Sequence, residues 1–302
     1  MTLIRKPMEL SVPMKSKVLI YGQAGMGKTT LALSAPKPLL LDFDGGIHRV
    51  NYGHQCDAVQ IRSWNEAVEV LREDLSAYET IVVDTIGKMM DFITDDVEKA
   101  GVSGWKKWEK INEAFTSFTR NLSAKEMNII FVAHRDTRKE GDETIFVPAL
   151  REKNYTSIVT EIDLLGYVEA KGNRRTITFN PTARNEGKNT CNLPGIIEIP
   201  TVVDSKGNAM VNNFFQTKII SQYEKNMIAR SEKIKAYETV MSEIKRNIAL
   251  ITDELSANCF IEIIDNFDHV GNSKAVASIL LRNKANELGL ILNKNKKYEK
   301  AA

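Results

Sequence analysis

The chain has 302 residues, of which 43% are apolar and 26% are charged, so it can bury a sizeable core without disulfides or structural metals. Its 41 basic and 39 acidic residues leave a net charge of +2, so any basic surface that binds nucleic acid must be local. The three cysteines, Cys56, Cys191 and Cys259, are far apart, which favours a reducing compartment. Because no apolar run approaches the roughly 18 residues needed to span a bilayer, we expect a soluble cytoplasmic protein with no membrane partner.

Short apolar runs alternate with helical patterns through the first half of the chain, which predicts β-α-β units and a mainly parallel sheet. The predicted strands are Lys17–Tyr21, Pro38–Phe43, Thr80–Asp84 and Asn128–Ala133. The predicted helices are Lys28–Ser34, Asn65–Leu75 and Lys106–Leu122. Spacings of three and four residues in the last helix predict a buried stripe. Its members are Trp105, Trp108, Ile111, Phe115, Phe118 and Leu122.

The second half of the chain has a different pattern. A polar stretch at His134–Ser157 precedes β-like segments, which we interpret as extra edge strands. These segments are Ile162–Val168, Arg175–Phe179 and Phe214–Ile220. From Glu224 onward glycine and proline nearly vanish, and apolar residues recur every seven positions. They are Met227, Ile234, Met241 and Ile248. We therefore predict an α/β domain over residues 1–223 and a C-terminal helical domain over residues 224–302.

A phosphate-binding loop follows the first predicted strand. The sequence from Gly22 to Thr29 is a full match to G-x-x-x-x-G-K-[ST] and opens a predicted helix. Glycines let the backbone N–H groups approach phosphate oxygens, Lys28 is expected to bridge the β- and γ-phosphates, and Thr29 to ligate magnesium. The expected nucleotide-binding residues are Gly22, Gln23, Ala24, Gly25, Met26, Gly27, Lys28, Thr29 and Thr30.

Acidic residues at the ends of two other predicted strands suit the same chemistry. Asp84 ends a buried apolar run and is the expected second metal-site residue. Because Thr85 follows it in place of the glutamate of many P-loop motors, the acid that activates water must come from elsewhere. Asp42 and Asp44 share one face of their strand, and Asp44 is the better candidate because it lies at the C-terminal rim. The alternative is an aspartate that only begins the turn at Gly45-Gly46.

Together these motifs resemble the RecA-type P-loop ATPase core, and most closely the short phage-encoded RecA-like nucleotide-binding proteins, some of which anneal single strands in recombination. The resemblance covers about residues 16–200. It implies ATP and Mg²⁺ bound at Lys28, Thr29 and Asp84, water activation by Asp44, and a γ-phosphate sensor at His134. Asp44 is shorter than the family's usual glutamate. A histidine at position 134 is similar to the phage proteins, and the alternative for it is a solvated residue without a role.

The resemblance also implies that the segment 134–157 is a mobile loop that contacts DNA. Basic residues for phosphates and a tyrosine for stacking are present there, although five acidic residues cancel their charge and an ordinary solvated loop is the alternative. The residues are Arg135, Arg138, Lys139, Arg151, Lys153 and Tyr155. Further on, Arg184 or Lys188 is a candidate to reach the nucleotide of a neighbouring subunit.

The function that these features favour is a Mg²⁺-dependent ATPase of phage RecA-like type, active in the cytoplasm of a bacterial host. It is expected to bind single-stranded DNA as a homo-oligomer and to act in annealing, recombination or replication, with a phage or host replication or recombination protein as a possible partner. The alternative is a nucleotide-dependent adaptor or loader that recruits a protein through its C-terminal helices and does not bind DNA. A small-molecule kinase is less favoured, since no arginine-rich lid is readable.

Overall fold

A mainly parallel sheet forms the centre of the larger part of the chain, in a computed structural model that describes residues 3–172 and 174–300. The strand order is β10-β8-β7-β1-β5-β4-β2-β3, with β6 paired to β5 and β9 to β7. The strands are β1 (Lys17–Gly22), β2 (Pro38–Asp42), β3 (Ala58–Gln60), β4 (Thr80–Asp84), β5 (Asn128–Glu140), β6 (Glu143–Pro148), β7 (Leu164–Lys171), β8 (Arg174–Thr178), β9 (Lys188–Asn189), β10 (Ile196–Ile199), β11 (Leu290–Leu292) and β12 (Tyr298–Lys300).

Helices cover the sheet and build the C-terminal region. They are α1 (Lys28–Ala32), α2 (Trp64–Val70), α3 (Ile86–Lys99), α4 (Gly104–Ser123), α5 (Glu152–Glu161), α6 (Ser221–Ala249), α7 (Glu254–Ile263) and α8 (Ser273–Glu287). The strands β3, β2, β4, β5, β1 and β7 are mutually parallel, whereas β8 and β10 add an antiparallel edge. The predicted fold class, a mainly parallel sheet flanked by helices with a C-terminal helical region, is therefore confirmed.

Continuous apolar runs explain why the central strands form the middle of the sheet. All of β4 and nearly all of β1 are buried, which is the pattern of parallel strands covered by helices on both faces. On one face, Leu19, Tyr21 and Ile81 pack in a core cluster that also contains Phe115 of α4 and Ile158 of α5. The strands that carry the predicted phosphate-binding loop and Asp84 are thus held in place by the buried core.

The order of the central strands positions the ends that carry polar residues. β5 lies between β1 and β4, with His134 in register with Gly22 and Val132 in register with Asp84. Because these strands are parallel, their C-terminal ends share one edge of the sheet. Gly22, Asp84 and His134 are consequently neighbours, although they are far apart in the sequence.

The chain divides into two units. One is Pro13–Asn226, and the other comprises the described residues of Met1–Val12 and Met227–Ala302. The second unit has its own apolar core, in which residues of the C-terminal half of α6, such as Met241 and Ile248, pack with Phe260 of α7 and Leu281 of α8. Among the described residues, no helix combines the length and apolar character that crossing a bilayer requires.

The predicted buried stripe of α4 is only partly correct. Ile111, Phe115, Phe118 and Leu122 are buried, but Trp105 is 83% exposed and Trp108 is 40% exposed. A step of three residues turns a helix face by about 60°, because each residue advances about 100°. Two such steps separate Trp105 from Ile111, so its side chain lies about 120° around the helix from the core. The prediction that both tryptophans are core residues was wrong.

Three other elements differ from the sequence interpretation. The predicted strand Phe214–Ile220 is instead a π-helix over Phe215–Ile220 that continues into α6. Its buried Phe214 and Phe215 are separated from the buried Ile219 and Ile220 by three exposed polar residues, which is a helical period and not the alternation of a strand.

The predicted loop His134–Ser157 is largely ordered, because β5 extends to Glu140 and pairs antiparallel with β6 before α5 begins. Two arginines of this hairpin have partners elsewhere in the domain, Arg135 at the Tyr167 hydroxyl and Arg138 at Glu186, which the polar composition of the segment did not indicate. In the heptad pattern, Ile234 is 37% exposed, whereas Met241 and Ile248 are buried. The apolar seam of α6 is therefore buried within its own unit only toward its C-terminal half.

Candidate nucleotide-binding site

The predicted phosphate-binding loop joins β1 to α1 and has a backbone that only glycine accommodates without strain. Gly25 and Gly27 have φ values of +78° and +75°, in the left-handed region. A Cβ on Gly22 would lie 2.4 Å from the carbonyl oxygen of Val168 in β7, because the two strands approach closely there. The glycines of the motif are therefore needed for the conformation of the backbone and its close packing on β7, as well as for the approach of phosphate to the backbone N–H groups.

Lys28 is held inside this loop. Its Nζ donates to the carbonyl oxygens of Gly22 and Gln23, at 2.9 Å each, and the residue is 6% exposed. Burial lowers the pKa of Lys28, while the nearby Asp84 and Asp44 raise it. The ammonium group is therefore already placed beside the loop amides, where phosphate oxygens can replace the carbonyls as its acceptors.

Thr29 and Asp84 form the pair expected at a magnesium site. The Thr29 hydroxyl donates to Asp84 Oδ2 at 2.6 Å. Burial raises the pKa of Asp84 to about 6, an effect that the hydrogen bond from Thr29 opposes. Mg²⁺ is usually held by one or two carboxylates together with phosphate oxygens and water, so one hydroxyl and one carboxylate fit this ion. Among the described residues, no cluster of three or more His, Cys, Asp or Glu side chains is arranged to bind a metal.

Asp42 and Asp44 have different surroundings. Asp42 is 2% exposed, and its two carboxylate oxygens accept from the backbone N–H groups of Gly46 and Ile47, at 2.8 and 3.1 Å. Asp42 therefore holds the turn that follows β2. Asp44 lies in that turn, lines the nucleotide cavity, and forms an ion pair with Arg49 at 2.7 Å. The turn-forming role that the sequence offered as the alternative for Asp44 thus belongs to Asp42.

His134 lies at the same edge of the sheet. Its ring lines the cavity, and partial burial together with the positive charge of Lys28 lowers its pKa. A neutral imidazole carries one N–H that can donate to a phosphate oxygen. The backbone of His134 is also engaged, because its carbonyl oxygen accepts from the N–H of Ala149 at 2.8 Å.

A cavity of about 520 Å³ brings these groups together. The predicted residues that line it are Ala24, Gly25, Gly27, Lys28, Thr29, Thr30, Asp44, Asp84 and His134. Gly22 and Gln23 instead contribute carbonyl oxygens to Lys28, and Met26 lines a small adjacent cleft together with Arg175 of β8. The cavity lies at the C-terminal ends of β1 and β4 and beside the middle of β5, at the edge of the parallel sheet where ligands of open α/β sheets bind.

Arg49 is a lining residue that sequence reasoning missed. It lies in the short turn after Gly45-Gly46, where its guanidinium reaches back to Asp44. A cation five residues after a candidate catalytic acid was a usable signal, but only the fold of the turn shows that the two side chains meet. Gly46, Val50, Thr85 and Val132 also line the cavity and were not anticipated.

Several of the side chains that the sequence predicts to contact DNA have partners within the domain instead. Arg138 forms ion pairs with Glu140 and Glu186, and Arg135 lies over the ring of Phe146 at 4.2 Å. Tyr155 is partly buried. Lys139, Arg151 and Lys153 remain exposed. The basic residues of this segment therefore do not act as one flexible set.

The two candidates for a contact with a neighbouring subunit also have local partners. Lys188 Nζ donates to the carbonyl oxygens of Val159 and Thr160, at 2.7 and 3.2 Å, in the last turn of α5. The exposed Arg184 lies 5.7 Å from the centre of the Phe146 ring. Lys188 is thus a capping residue of α5, and Arg184 is the more exposed of the two.

The comparisons with known proteins place this site within a recognised sequence family. The model of the AAA domain family matches residues 14–191, more than half of the chain. The SPbeta prophage-derived uncharacterized protein YorG of Bacillus subtilis (strain 168) is 25% identical over 170 residues. That alignment covers 51% of this chain and 51% of YorG, so the chain spans about half the length of this relative. The family match contains every residue proposed for the site.

Similar solved structures include two proteins of low sequence identity. One is a solved ATPase domain that is 11% identical, with a TM-score of 0.41 and coverage of 66% of this chain and 85% of that chain. The other is the flagellar accessory protein FlaH from Methanocaldococcus jannaschii, which is 12% identical, with a TM-score of 0.35 and coverage of 64% of this chain and 93% of that chain.

Proposed function

The chain belongs to the AAA domain family, and on that premise we propose that it is a Mg²⁺-dependent ATPase of phage RecA-like type that binds single-stranded DNA. The observation that carries the ATPase proposal is the meeting of Lys28, Thr29, Asp84, Asp44 and His134 on one cavity at the edge of the sheet. These residues supply a phosphate-binding cation, a metal-binding pair, a carboxylate for water and an N–H donor. Groups of these kinds catalyse phosphoryl transfer to water in P-loop enzymes.

Each side chain has a distinct task in this proposal. Mg²⁺, when bound, neutralises charge on the β- and γ-phosphates of ATP. Thr29 and Asp84 are the residues that would hold it. Lys28 exchanges its carbonyl acceptors for phosphate oxygens. Asp44 accepts a hydrogen bond from the attacking water and orients it in line with the γ-phosphate, and Arg49 holds the Asp44 carboxylate in place.

His134 is the proposed sensor of the γ-phosphate. A neutral imidazole N–H donates to a terminal phosphate oxygen, and this contact is lost after hydrolysis. Because the backbone of His134 is hydrogen-bonded to Ala149, movement of this part of β5 also moves the segment that follows the β5–β6 hairpin. A nucleotide-dependent change at a distant surface can therefore begin here.

Single-stranded DNA, homo-oligomer formation and a role in annealing, recombination or replication are proposed from the RecA-like motifs. The match to a prophage-derived relative supports a phage origin, and with it action in a bacterial cytoplasm beside phage or host replication proteins. Under this proposal, ATP binding orders the DNA-contacting surface and hydrolysis releases it.

A nucleotide-dependent adaptor is the second candidate, favoured by one feature of the C-terminal unit. There a cavity of about 390 Å³ is lined by Leu250, Leu255, Phe260 and Ile263, and Leu250 and Leu255 are each 71% exposed. An exposed apolar groove suits a protein partner. In this case ATP turnover would not respond to DNA.

The deciding experiment measures ATP binding by calorimetry and ATP turnover with and without single-stranded DNA, for the natural chain and Lys28→Ala. We expect Lys28→Ala to lose at least about tenfold in affinity for Mg²⁺-ATP and to lose turnover, because one charge-assisted phosphate contact disappears. Lys206→Ala, at an exposed lysine of the same unit, is the control and should behave as the natural chain.

The two candidates give different results in this experiment. Turnover that DNA stimulates supports the DNA-binding ATPase, and turnover that DNA leaves unchanged, with no retention of DNA, supports the adaptor. Absence of ATP binding by well-folded natural chain with Mg²⁺ present would refute both.

A further inference from the structure

We propose that the groove along α4 beside Trp105 and Trp108 is a binding site for a single-stranded nucleic acid, an inference that rests on the proposed function for its choice of ligand. The groove is lined by residues of α4 and by Lys153 of α5, with a volume of about 910 Å³. It is separate from the nucleotide cavity, with which it shares no lining residue.

Two indole rings form the stacking surface of the groove. Trp105 and Trp108 are three residues apart on α4, so their side chains project from neighbouring positions of one helix. The guanidinium of Arg151 lies 3.9 Å from the centre of a Trp108 ring and covers part of that indole. Trp105, at 83% exposed, is left as the open aromatic surface. Exposed aromatic rings beside cations are the arrangement on which unpaired bases stack.

The charges around the rings favour a polyanion. Arg120 and Lys153 line the groove, Arg151 borders it, and none of the three forms an ion pair with a described carboxylate. Of the two lining acids, Glu113 is paired with Lys110 at 2.7 Å. The described side chains that lack an ion partner are therefore three cations and Glu109, which gives the groove a local positive excess in a nearly neutral protein.

The groove also contains polar side chains beside its two tryptophans. Asn112, Thr116 and Asn121 line the groove with amide and hydroxyl groups. Such groups hydrogen-bond to the base edges and sugars of a nucleic acid. Two aromatic rings, cations without an ion partner among the described residues and these hydrogen-bonding groups together fit a nucleic-acid strand whose bases are accessible, and not a duplex whose bases are stacked inside.

The groove is connected to the ATP site through a short segment. Ala149 donates to the backbone of His134, and its carbonyl oxygen lies 3.5 Å from the position that a Cβ would take on Gly87, in the first turn of α3. Arg151, two residues further along, is stacked on Trp108. A shift of His134 or of the start of α3 on nucleotide binding therefore acts on the residue that borders the stacking surface, so nucleic-acid affinity is expected to depend on the bound nucleotide.

The test measures binding of fluorescein-labelled oligodeoxythymidylate by anisotropy, with Mg²⁺ and a slowly hydrolysed ATP analogue. Trp105→Ala should weaken binding about tenfold, the size of the loss of one base–aromatic stack, and Trp105→Phe should retain most of the affinity. Arg120→Ala and Lys153→Ala should each lower the slope of log affinity against log salt by about one phosphate contact. Tyr52→Ala, at an aromatic residue that is 77% exposed outside the groove, should leave binding unchanged.

A second readout is the fluorescence of the chain's three tryptophans, since Trp64 is only 9% exposed. Oligonucleotide should quench the natural chain, and Trp105→Phe should remove most of the quenching. Basal ATP turnover is measured for every variant. Loss of oligonucleotide binding in Trp105→Ala supports the groove even in a chain that proves to have no ATPase activity.

Three results would overturn the proposal. In the first, the natural chain turns over ATP but binds no oligonucleotide in either nucleotide state. In the second, Trp105→Ala and the double change with Trp108→Ala bind as the natural chain does, which moves DNA binding elsewhere. In the third, the double change alters the sedimentation of the protein without altering oligonucleotide affinity, which assigns the groove to contact with a second copy of the chain.

Discussion

Two aspartates at the end of β2 show how much the function of a residue depends on a few backbone atoms. Asp42 and Asp44 point to the same face in an ideal strand, but β2 ends at Asp42 and the chain turns. The carboxylate of Asp42 accepts two backbone N–H groups of that turn, whereas Asp44 faces the nucleotide cavity. An aspartate thus stabilises a turn at position 42, whereas two positions later an aspartate lines the nucleotide cavity, where it can act on water.

The pair can be separated by matched substitutions. Asp44→Asn should bind Mg²⁺-ATP normally and lower turnover about a hundredfold, the contribution typical of a positioned acid–base group. Its effect on stability should be small, because the ion pair with Arg49 is partly solvated. Asp42→Asn places an amide donor opposite buried N–H donors and should lower the free energy of unfolding by about 1–3 kcal/mol. Normal turnover in Asp44→Asn would remove Asp44 from its proposed role.

The raised pKa of Asp84 predicts how the stability of the fold depends on pH. Its folded-state pKa of about 6 exceeds the ordinary value of 3.8, so between these values the folded chain binds more protons than the unfolded chain. This group therefore makes the protein less stable as pH rises from about 4 to 6, by about 1–3 kcal/mol, and the penalty stays constant above that. Asp84→Asn lacks the penalty.

Thermal or denaturant unfolding of the nucleotide-free protein in a chelator checks this. The stability of Asp84→Asn relative to the natural chain should increase through that interval and then level off, while its affinity for Mg²⁺-ATP is reduced. A stability difference that is the same at pH 4 and pH 7 would contradict the raised pKa.

At the scale of elements, short connections around the sheet decide which side chains are available. The β5–β6 hairpin orders a segment that composition alone assigns to a loop, and it places Phe146 beneath Arg135 and within reach of Arg184. β9 brings Lys188 to the C-terminal end of α5, where carbonyl groups lack partners within the helix. A lysine there satisfies two of them and is favoured by the helix dipole.

We expect Lys188→Met to lower the free energy of unfolding by about 1 kcal/mol and the melting temperature by a few degrees, with turnover per folded molecule unchanged. Differential scanning calorimetry and an ATPase assay on the same preparation measure the two effects. Arg184→Met is the control for stability, since this exposed side chain holds no helix end. Lost turnover at an unchanged melting temperature in Lys188→Met would instead indicate a direct part in catalysis.

At the scale of the whole molecule, the nucleotide cavity and the α4 groove both belong to the unit Pro13–Asn226. The C-terminal unit has a separate core and its own apolar groove. The division falls three residues after the boundary that the loss of glycine and proline predicts, and the described part of the amino-terminal segment belongs with the C-terminal residues. Composition cannot indicate that association, because it depends on contacts between the two ends of the chain.

Local patterns were sufficient for the features whose physical cause is local. Buried parallel strands need continuous apolar runs, so β1, β2, β4 and the start of β5 were predictable to within a residue or so. The phosphate-binding loop was equally readable, because positive φ values and close approach to phosphate require glycine at set positions. From these, the sequence by itself determined the fold class and the residues most expected to hold a nucleotide.

Only the tertiary structure decided the features that depend on where elements end and what they meet. Arg49 lines the site because the turn after β2 brings its side chain back to Asp44. Trp105 is exposed because it lies about 120° around α4 from the buried Ile111. Lys188 and Arg138 form a hydrogen bond and an ion pair with residues of segments that are distant in the sequence, Val159 and Glu186. Spacing along the chain predicts which residues share one face of a helix or strand. Which faces contact each other depends on how close different segments lie in the folded chain, and the sequence of one segment does not show this.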